Sequence, residues 1–324
     1  MTLRQLAYLV ALADVGSFTR AADLVGVAQP TLSRQLRALE DDLGAPLVER
    51  GGRDGTTLTA AGEAVLPFAR RMLADADGAR TAVAELIGLR RGRVRLGATP
   101  SLCVGVVADV LRAFHGAHPE IALELVESGS QPLVRALARG ELDIALVIVP
   151  ADGIEPGLAA APLLRERLSV ASAATEPAPF RRGSVTVVEL ARRPLVVPRE
   201  GYDLRAATLR AFDQAGATPR LAVQGGEMDA VLRLVEAGTG LAVVPDIVFG
   251  GRPGLRRTAL NPPLYRTVAL AHRDDVAPTH AVRAFRDTLL GFLGELSARG
   301  GLVGDVQVLA RPGSGTTAGS VAPG

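Results

Sequence analysis

The chain has 324 residues, and its 36 basic residues, all arginine, against 34 acidic ones leave a formal net charge of +2. An apolar fraction of 48% excludes a disordered chain, and no apolar run reaches the roughly 18 residues a membrane helix needs. The single cysteine, Cys103, excludes an intramolecular disulfide framework and fits a reducing cytoplasm, while +2 is not the balance of a bulk-basic nucleic-acid binder.

At about 150 residues per domain, two or three domains are expected. The N-terminal stretch is helix-patterned but carries Asp14 and lacks a small-residue cleavage site, so it reads as fold rather than signal peptide. Leu3, Leu6, Val10 and Ala13 recur at helical spacing. Ser17 is placed to cap a second helix, from about Phe18 to Leu24. Gly26 ends it, because glycine tolerates the left-handed conformation of a C-cap. A third helix starts at Gln29-Pro30, where the missing N–H of Pro30 costs nothing. Leu32, Leu36, Leu39 and Leu43 line one face and Gly44 closes it. Two helices joined by so short a turn form a helix-turn-helix candidate. The other face of the second shows Thr31, Ser33, Arg34, Gln35 and Arg37, side-chain types that base edges and phosphates require. Residues 1–60 hold six arginines against seven acids, so a DNA reading must rest on where particular arginines sit.

Leu47–Arg50 and Thr57–Thr59 flank Gly51-Gly52-Arg53-Asp54-Gly55 and read as a hairpin, hence a wing. Ala60 to about Leu89 is a long helix, with Thr59 as a candidate cap. Leu66, Leu73 and Ile87 fall on one row, interrupted by Arg80, and Ala69, Ala76 and Val83 on another. That pattern resembles a coiled-coil seam pairing two chains; the alternative is packing within one chain. Arg90-Arg91-Gly92-Arg93-Val94-Arg95 concentrates charge as a linker or solvated face does.

From Arg93 strands and helices alternate. Val94–Ala98, Ile121–Val126, Leu142–Val149, Pro194–Pro198, Leu221–Gln224 and Leu241–Pro245 read as strands. Ser101–Gly116, Gln131–Gly140, Asp203–Ala215 and Met228–Ala237 read as the helices between them. Such alternation implies parallel sheets, here in two subdomains with a cleft between. Lobe crossings are expected near Glu166–Leu168 and Thr267–Leu270. Pro278 to about Ala298 is a closing helix, and 299–324 reads mostly as a mobile tail, although Leu302–Leu309 can form a short element.

Ligands of open parallel sheets sit beyond the strands' carboxyl ends. Those ends are Thr99-Pro100-Ser101, Ser128-Gly129-Ser130-Gln131, Ile148-Val149-Pro150, Pro198-Arg199-Glu200-Gly201-Tyr202 and Gln224-Gly225-Gly226-Glu227. The hydroxyls and helix starts at Ser101 and at Ser130-Gln131 can hold a carboxylate; the same serines also serve as caps. Arg199 and Tyr202 are further candidates. Metal binding is not expected, because His115 and His118 have no third ligand at metal spacing. Neither a phosphate loop nor a nucleophile elbow is present, so no catalytic site is expected. Cys103 keeps a redox-sensing alternative open, since a helix start can lower a thiol pKa, against a plain core role. A stand-alone solute-binding protein is disfavoured by the first 60 residues.

Leu3-Arg4-Gln5-Leu6, Gly16–Ala22, Ala28-Gln29-Pro30-Thr31-Leu32-Ser33-Arg34-Gln35-Leu36-Arg37-Ala38-Leu39-Glu40, Leu47–Arg50 and Leu58–Gly62 together resemble the LysR-type transcriptional regulators. His118-Pro119-Glu120, Gly140–Ala145 and Val235–Pro245 match that family's effector region in order and spacing. The resemblance runs from residue 1 to about 298. It implies a winged helix-turn-helix over 1–59 and a dimerising linker helix over 60–90. Next comes an α/β two-lobed effector domain of periplasmic-binding-protein type over 91–298, with lobe I at about 91–166 and 269–298 and lobe II at about 167–268. The implied partners are double-stranded DNA at a dyad-symmetric promoter site, a small-molecule effector, RNA polymerase and further copies of the chain, usually as a tetramer; no cofactor beyond the effector is implied. Helix Pro30–Leu43 would enter the major groove, with Gln29 on adenine and Arg34 bidentate to guanine. Thr31 and Ser33 suit phosphates or single base contacts, Arg37 a phosphate, and Arg50 and Arg53 the backbone or minor groove. Effector contacts fall on Thr99, Pro100, Ser101, Ser128, Ser130, Gln131, Val149, Pro198, Arg199, Tyr202 and Gln224. Ala28 stands where the family usually has a capping Ser, a loss of about 1 kcal/mol. Either Gln29 substitutes for that cap or the helix start is weaker.

Overall fold

Helix α1 (Leu3–Val15) opens on a capping box: the Gln5 N–H donates to Thr2 Oγ1 at 3.3 Å and the Thr2 N–H to Gln5 Oε1 at 2.8 Å. It belongs to a computed structural model that describes residues 1–52, 55–86, 92–149 and 153–310. Two units separate, Met1–Leu89 with Ala138–Glu141, and Arg90–Leu137 with Leu142–Gly324.

In the first unit α2 (Phe18–Leu24) begins at Ser17, whose hydroxyl makes no capping bond. Gly26, at φ 67°, turns the chain toward α3 (Gln29–Leu43). No side chain caps α3, so Gln29 does not replace the missing hydroxyl; the start relies on Pro30 in the first turn. Leu32, Leu36 and Leu39 are buried with Leu6, Leu9, Leu12, Ala21 and Ala22. Leu43 lies beyond this core and is exposed, contrary to its expected place on the stripe. Glu40 receives the N–H groups of Leu47 and Val48 at 2.9 and 3.2 Å, tying α3 to the hairpin of β1 (Val48–Gly52) and β2 (Gly55–Leu58). Val48 pairs with Leu58 and Glu49 with Thr57. Thr59 accepts the Gly62 N–H at 3.1 Å, as its capping role requires, and opens α4 (Ala60–Leu86). A Cβ on Gly62 would lie 2.1 Å from the Leu47 carbonyl oxygen, so only glycine permits this approach of α4 to the wing.

The linker seam needs correction. Ala69 is buried and Leu73 packs beside it in the unit's own core, so parts of both expected rows face α1 rather than a partner. Among the described residues the exposed large apolar side chains of α4 are Phe68, Met72 and Val83, which share one stripe. Ile87–Leu89 lie outside the described residues.

The second unit is built from β3 (Arg93–Ala98), α5 (Pro100–Leu102), a π turn (Cys103–Val107), α6 (Ala108–Ala117), β4 (Ala122–Glu127), α7 (Ser130–Ala138) and β5 (Ile144–Ile148). Then follow β6 (Leu158–Ala173), β7 (Ser184–Val185), α8 (Val187–Leu190), β8 (Pro194–Val197), α9 (Asp203–Gln214), β9 (Arg220–Gln224), α10 (Met228–Glu236) and β10 (Ala242–Pro245). A 3₁₀ turn (Asp246–Phe249), β11 (Leu255–Arg273), α11 (His280–Ala298) and β12 (Val306–Val308) complete it. β3 lies parallel to β4 and β5, and β8 parallel to β9, as expected. The sheets are nevertheless mixed rather than parallel throughout. The long strands β6 and β11 run antiparallel to each other and join both lobes in the order β10-β6-β11-β5-β3-β4. β11 pairs β7 at Ala259 and Leu260, breaks register between Ala259 and Leu264, and pairs β5 over Val268–Ala271. Its partner thus changes from β7 to β5 between Leu260 and Val268. Phe114 of α6 meets Phe285 of α11 edge to face at 5.3 Å, holding α11 on the first lobe.

The tail from residue 299 is not wholly free. β12 pairs with Leu164–Glu166 of β6, and the Asp305 N–H donates to buried Asp246 Oδ2 at 2.8 Å. An unpaired edge of β6 at the crossover supplies the backbone partners that make this segment a strand. Residues 311–324 lie outside the described residues.

Candidate nucleic-acid interface and effector cleft

The turn between α2 and α3 leaves the start of α3 uncovered. Gln29, Pro30, Arg34 and Arg37 are exposed, and Thr31 and Ser33 half-buried. Among the described residues none forms a hydrogen bond or ion pair with the side chains of Gln29, Thr31, Ser33, Arg34 or Arg37. The helix thus offers Arg34 and Arg37 on the face opposite its leucines, with the hydroxyls of Thr31 and Ser33 on its flanks and the Gln29 amide exposed at its first position. Hydrogen-bond donors and acceptors so spaced can reach base edges and flanking phosphates. Arg50 stands on β1, and Arg53 lies outside the described residues.

The second constellation gathers at the strand ends of the two lobes. Thr99 follows β3 and is buried, and its Oγ1 has no hydrogen-bond partner among the described residues. Pro100 and Ser101 are buried beside it. Ser101 Oγ accepts from Arg266 Nη2 at 2.8 Å. Arg266 also grips Glu166, its cross-strand partner, at 2.7 and 3.0 Å, while the Ile247 N–H donates to the other oxygen of Glu166 at 3.1 Å. Glu166 has no exposed surface, so this pair satisfies a carboxylate that would otherwise be orphaned.

Ser130, first residue of α7, is buried with both of its donors in use. Its N–H and hydroxyl donate to Asp203 Oδ2 at 3.1 and 2.7 Å, and its oxygen accepts the Ile148 N–H at 2.9 Å. Asp203 opens α9 in the second lobe, so these bonds cross the cleft. A Cβ on Gly129 would lie 2.2 Å from the Gly201 carbonyl oxygen, so the two loops meet at backbone contact. Both anion seats expected from sequence are therefore engaged within the chain. At Ser101 the hydroxyl serves Arg266, and at Ser130 the donors serve Asp203.

Ser128 and Val149 are half-buried at the first lobe's rim, and Gln131 is exposed. On the second lobe Pro198 and Tyr202 are buried and Arg199 is exposed. The Arg199 guanidinium lies 4.4 Å above the Tyr202 ring. Its Nε donates to Glu227 at 2.8 Å and to the Tyr202 hydroxyl at 3.1 Å. Gln224 accepts from Arg205 at 2.9 Å. The structure thus joins Ser128–Ser130 to Gly201–Asp203, and Arg199 to Glu227. Asp203, Glu166 and Arg266 belong to this region although sequence reasoning did not single them out.

Cys103 is half-buried in the π turn. Burial, the charge of Glu127 and a hydrogen bond to Glu127 raise its thiol to about 12. Glu127 itself is raised by burial and then by repulsion from Glu227. The activated thiolate of the redox alternative is thus opposed by its surroundings, since α5 is a single turn beside a carboxylate. The thiol should be protonated at pH 8, with a thiolate fraction of about 1 in 10,000. Iodoacetamide at that pH should label Cys103 at least about a hundredfold more slowly than a free cysteine peptide, read by mass spectrometry. Labelling at the peptide's rate would show an activated thiol.

Residues 3–63 match the family model described as bacterial regulatory helix-turn-helix protein, lysR family, and residues 88–294 match the LysR substrate binding domain. The chain is 35% identical over 254 residues to the HTH-type transcriptional regulator TtuA of Agrobacterium vitis, covering 76% of this chain and 80% of that protein. It is 32% identical over 305 residues to the uncharacterized HTH-type transcriptional regulator YnfL of Escherichia coli K12, covering 90% and 98%. Similar solved structures include a full-length OxyR variant from Pseudomonas aeruginosa, with TM-score 0.68, 28% identity, and 89% and 97% coverage. Full-length CbnR complexed with its target DNA matches with TM-score 0.63, 26% identity, and 90% and 100% coverage. The chain belongs to the LysR family of DNA-binding transcriptional regulators, with a helix-turn-helix domain followed by an effector-binding domain.

Proposed function

We propose that this regulator reads a dyad-symmetric promoter site with α3 and is switched by a small anionic molecule held between its two lobes. The observation that carries the DNA reading is the start of α3: exposed, flanked by a short Gly-containing turn, its polar side chains held by no other described residue. In this reading Arg34 makes a bidentate contact to guanine and Gln29 pairs with adenine. Thr31 and Ser33 add single contacts, while Arg37, Arg50 and Arg53 meet phosphates or the minor groove. The likeness to CbnR, solved on its target DNA, supports this placement.

The exposed stripe Phe68, Met72 and Val83 supports pairing of two chains through α4, and two such dimers make the tetramer. Dimeric readers demand symmetric half-sites. RNA polymerase is a further partner of this reading, and its place is the cytoplasm; among the described residues no helix is long and apolar enough to cross a membrane. Thr99, Ser101, Ser128, Ser130 and Gln131 on one lobe, and Arg199, Tyr202 and Gln224 on the other, surround the effector, with Pro100, Val149 and Pro198 supplying apolar walls. The buried hydroxyl of Thr99, without a partner among the described residues, supports a polar ligand. An effector acts only through unequal affinity for two shapes of the assembly.

A DNase I footprint of the full-length chain on its upstream intergenic DNA tests this. Two symmetric protected half-sites are expected, altered by one member of a panel of carboxylates. Uniform protection along the fragment would contradict sequence-specific reading.

A further inference from the structure

We propose that Asp203 is a resident stand-in for the effector's carboxylate, latching the two lobes together until an anionic ligand displaces it. This deepens the effector reading above and rests on it. The observation is that the start of α7, expected to hold a ligand carboxylate, already holds one. Asp203 Oδ2 receives the Ser130 N–H at 3.1 Å and the Ser130 hydroxyl at 2.7 Å.

The hydroxyl's direction is fixed. Its oxygen accepts the Ile148 N–H at 2.9 Å, so its one proton is committed to Asp203. The N–H of Ser130 is among the amides that a helix start leaves without a partner inside the helix. Asp203 also sits in the first turn of α9, so the starts of two helices converge on one carboxylate, each favouring negative charge. Backbone shape agrees independently. Gly129 approaches the Gly201 carbonyl so closely that a Cβ would lie 2.2 Å from it, and Gly201 itself has φ 85°. The loop carrying Asp203 is thus shaped to press against the loop carrying Ser130.

A free carboxylate offers Ser130 the same acceptor that Asp203 does. Binding there removes Asp203 from α7 and releases the start of α9, so occupancy is converted into lobe movement. It also sets selectivity, because a ligand must bring enough further contacts to outcompete an internal carboxylate at high effective concentration.

The test is chemical rescue. The full-length chain and Asp203→Ala are titrated with sodium acetate against sodium chloride at matched ionic strength, read by calorimetry and by the unfolding midpoint of the effector domain. The variant is expected to bind acetate at least tenfold more tightly than the parent, with its midpoint raised by acetate and not by chloride. Adding Ser130→Ala to the variant should remove most of that gain. An equal acetate response in parent and variant, or none in the variant, overturns the proposal. If Asp203→Ala does not fold, Asp203→Leu keeps the volume without an acceptor, and the same comparison decides. No DNA enters this readout, so its failure leaves operator reading intact, and failure of operator reading leaves it intact.

Discussion

Replacing Arg34 by alanine should cost operator DNA at least about thirtyfold in affinity while leaving random DNA within about threefold. A bidentate arginine–guanine contact is worth roughly 1–3 kcal/mol of discrimination, and a dimer makes it twice. Arg34 is exposed, and its removal breaks no hydrogen bond or ion pair among the described residues. Alanine is also the better helix former. The unfolding midpoint of the N-terminal unit should therefore stay unchanged, which separates lost recognition from lost folding. Arg34→Lys keeps the charge and loses the planar fork. It should retain random-DNA affinity and still lose most of the preference. Fluorescence anisotropy on operator and scrambled duplexes measures both arms, and equal losses on the two would place Arg34 among the phosphate contacts.

The second large effect lies in the effector domain. Arg266→Met should destabilise it by about 3–5 kcal/mol, because Glu166 is wholly buried and loses its paired cation. For a domain of this size that lowers the midpoint by on the order of 10 °C. The damage is wider than one ion pair. Arg266 also donates to Ser101, and Glu166 accepts from Ile247, so one network joins β6, β11, α5 and the turn after β10. Arg266→Met combined with Glu166→Leu removes the orphaned charge and should recover much of the loss. A double variant no more stable than the single one would mean that the network's other hydrogen bonds, not the charge pair, dominate.

The DNA-reading unit was legible because its helices are short, amphipathic and punctuated by Gly16, Gly26, Pro30 and Gly44. Repeating leucines at three- and four-residue spacing leave few alternatives. β6 and β11 were not legible. Ala159-Ala160-Ala161-Pro162 lacks the β-branched residues that mark a strand, and Asn261-Pro262-Pro263 reads as a break. Both strands change neighbours between lobes, which erases a single alternating pattern. The Glu166–Arg266 pair depends on the register of strands a hundred residues apart, and short-range spacing carries no trace of it. The seam on α4 was partly misplaced because its first half also serves as a core helix of its own unit, which the heptad count cannot distinguish from a dimer face. Asp203 was hidden differently: an acid in the first turn of a helix is an ordinary dipole partner. Only the fold shows that it faces the start of a second helix.

The net charge of +2 can now be placed. In the proposed reading a handful of arginines, rather than bulk basicity, makes the DNA contacts, so the salt slope of binding should follow those few contacts. The most direct measurement is the ratio of affinities of the full-length chain for its upstream intergenic DNA and for a scrambled duplex of the same length, at physiological salt. A preference of at least about a thousandfold is expected, and equal affinity for the two duplexes would contradict a sequence-reading α3.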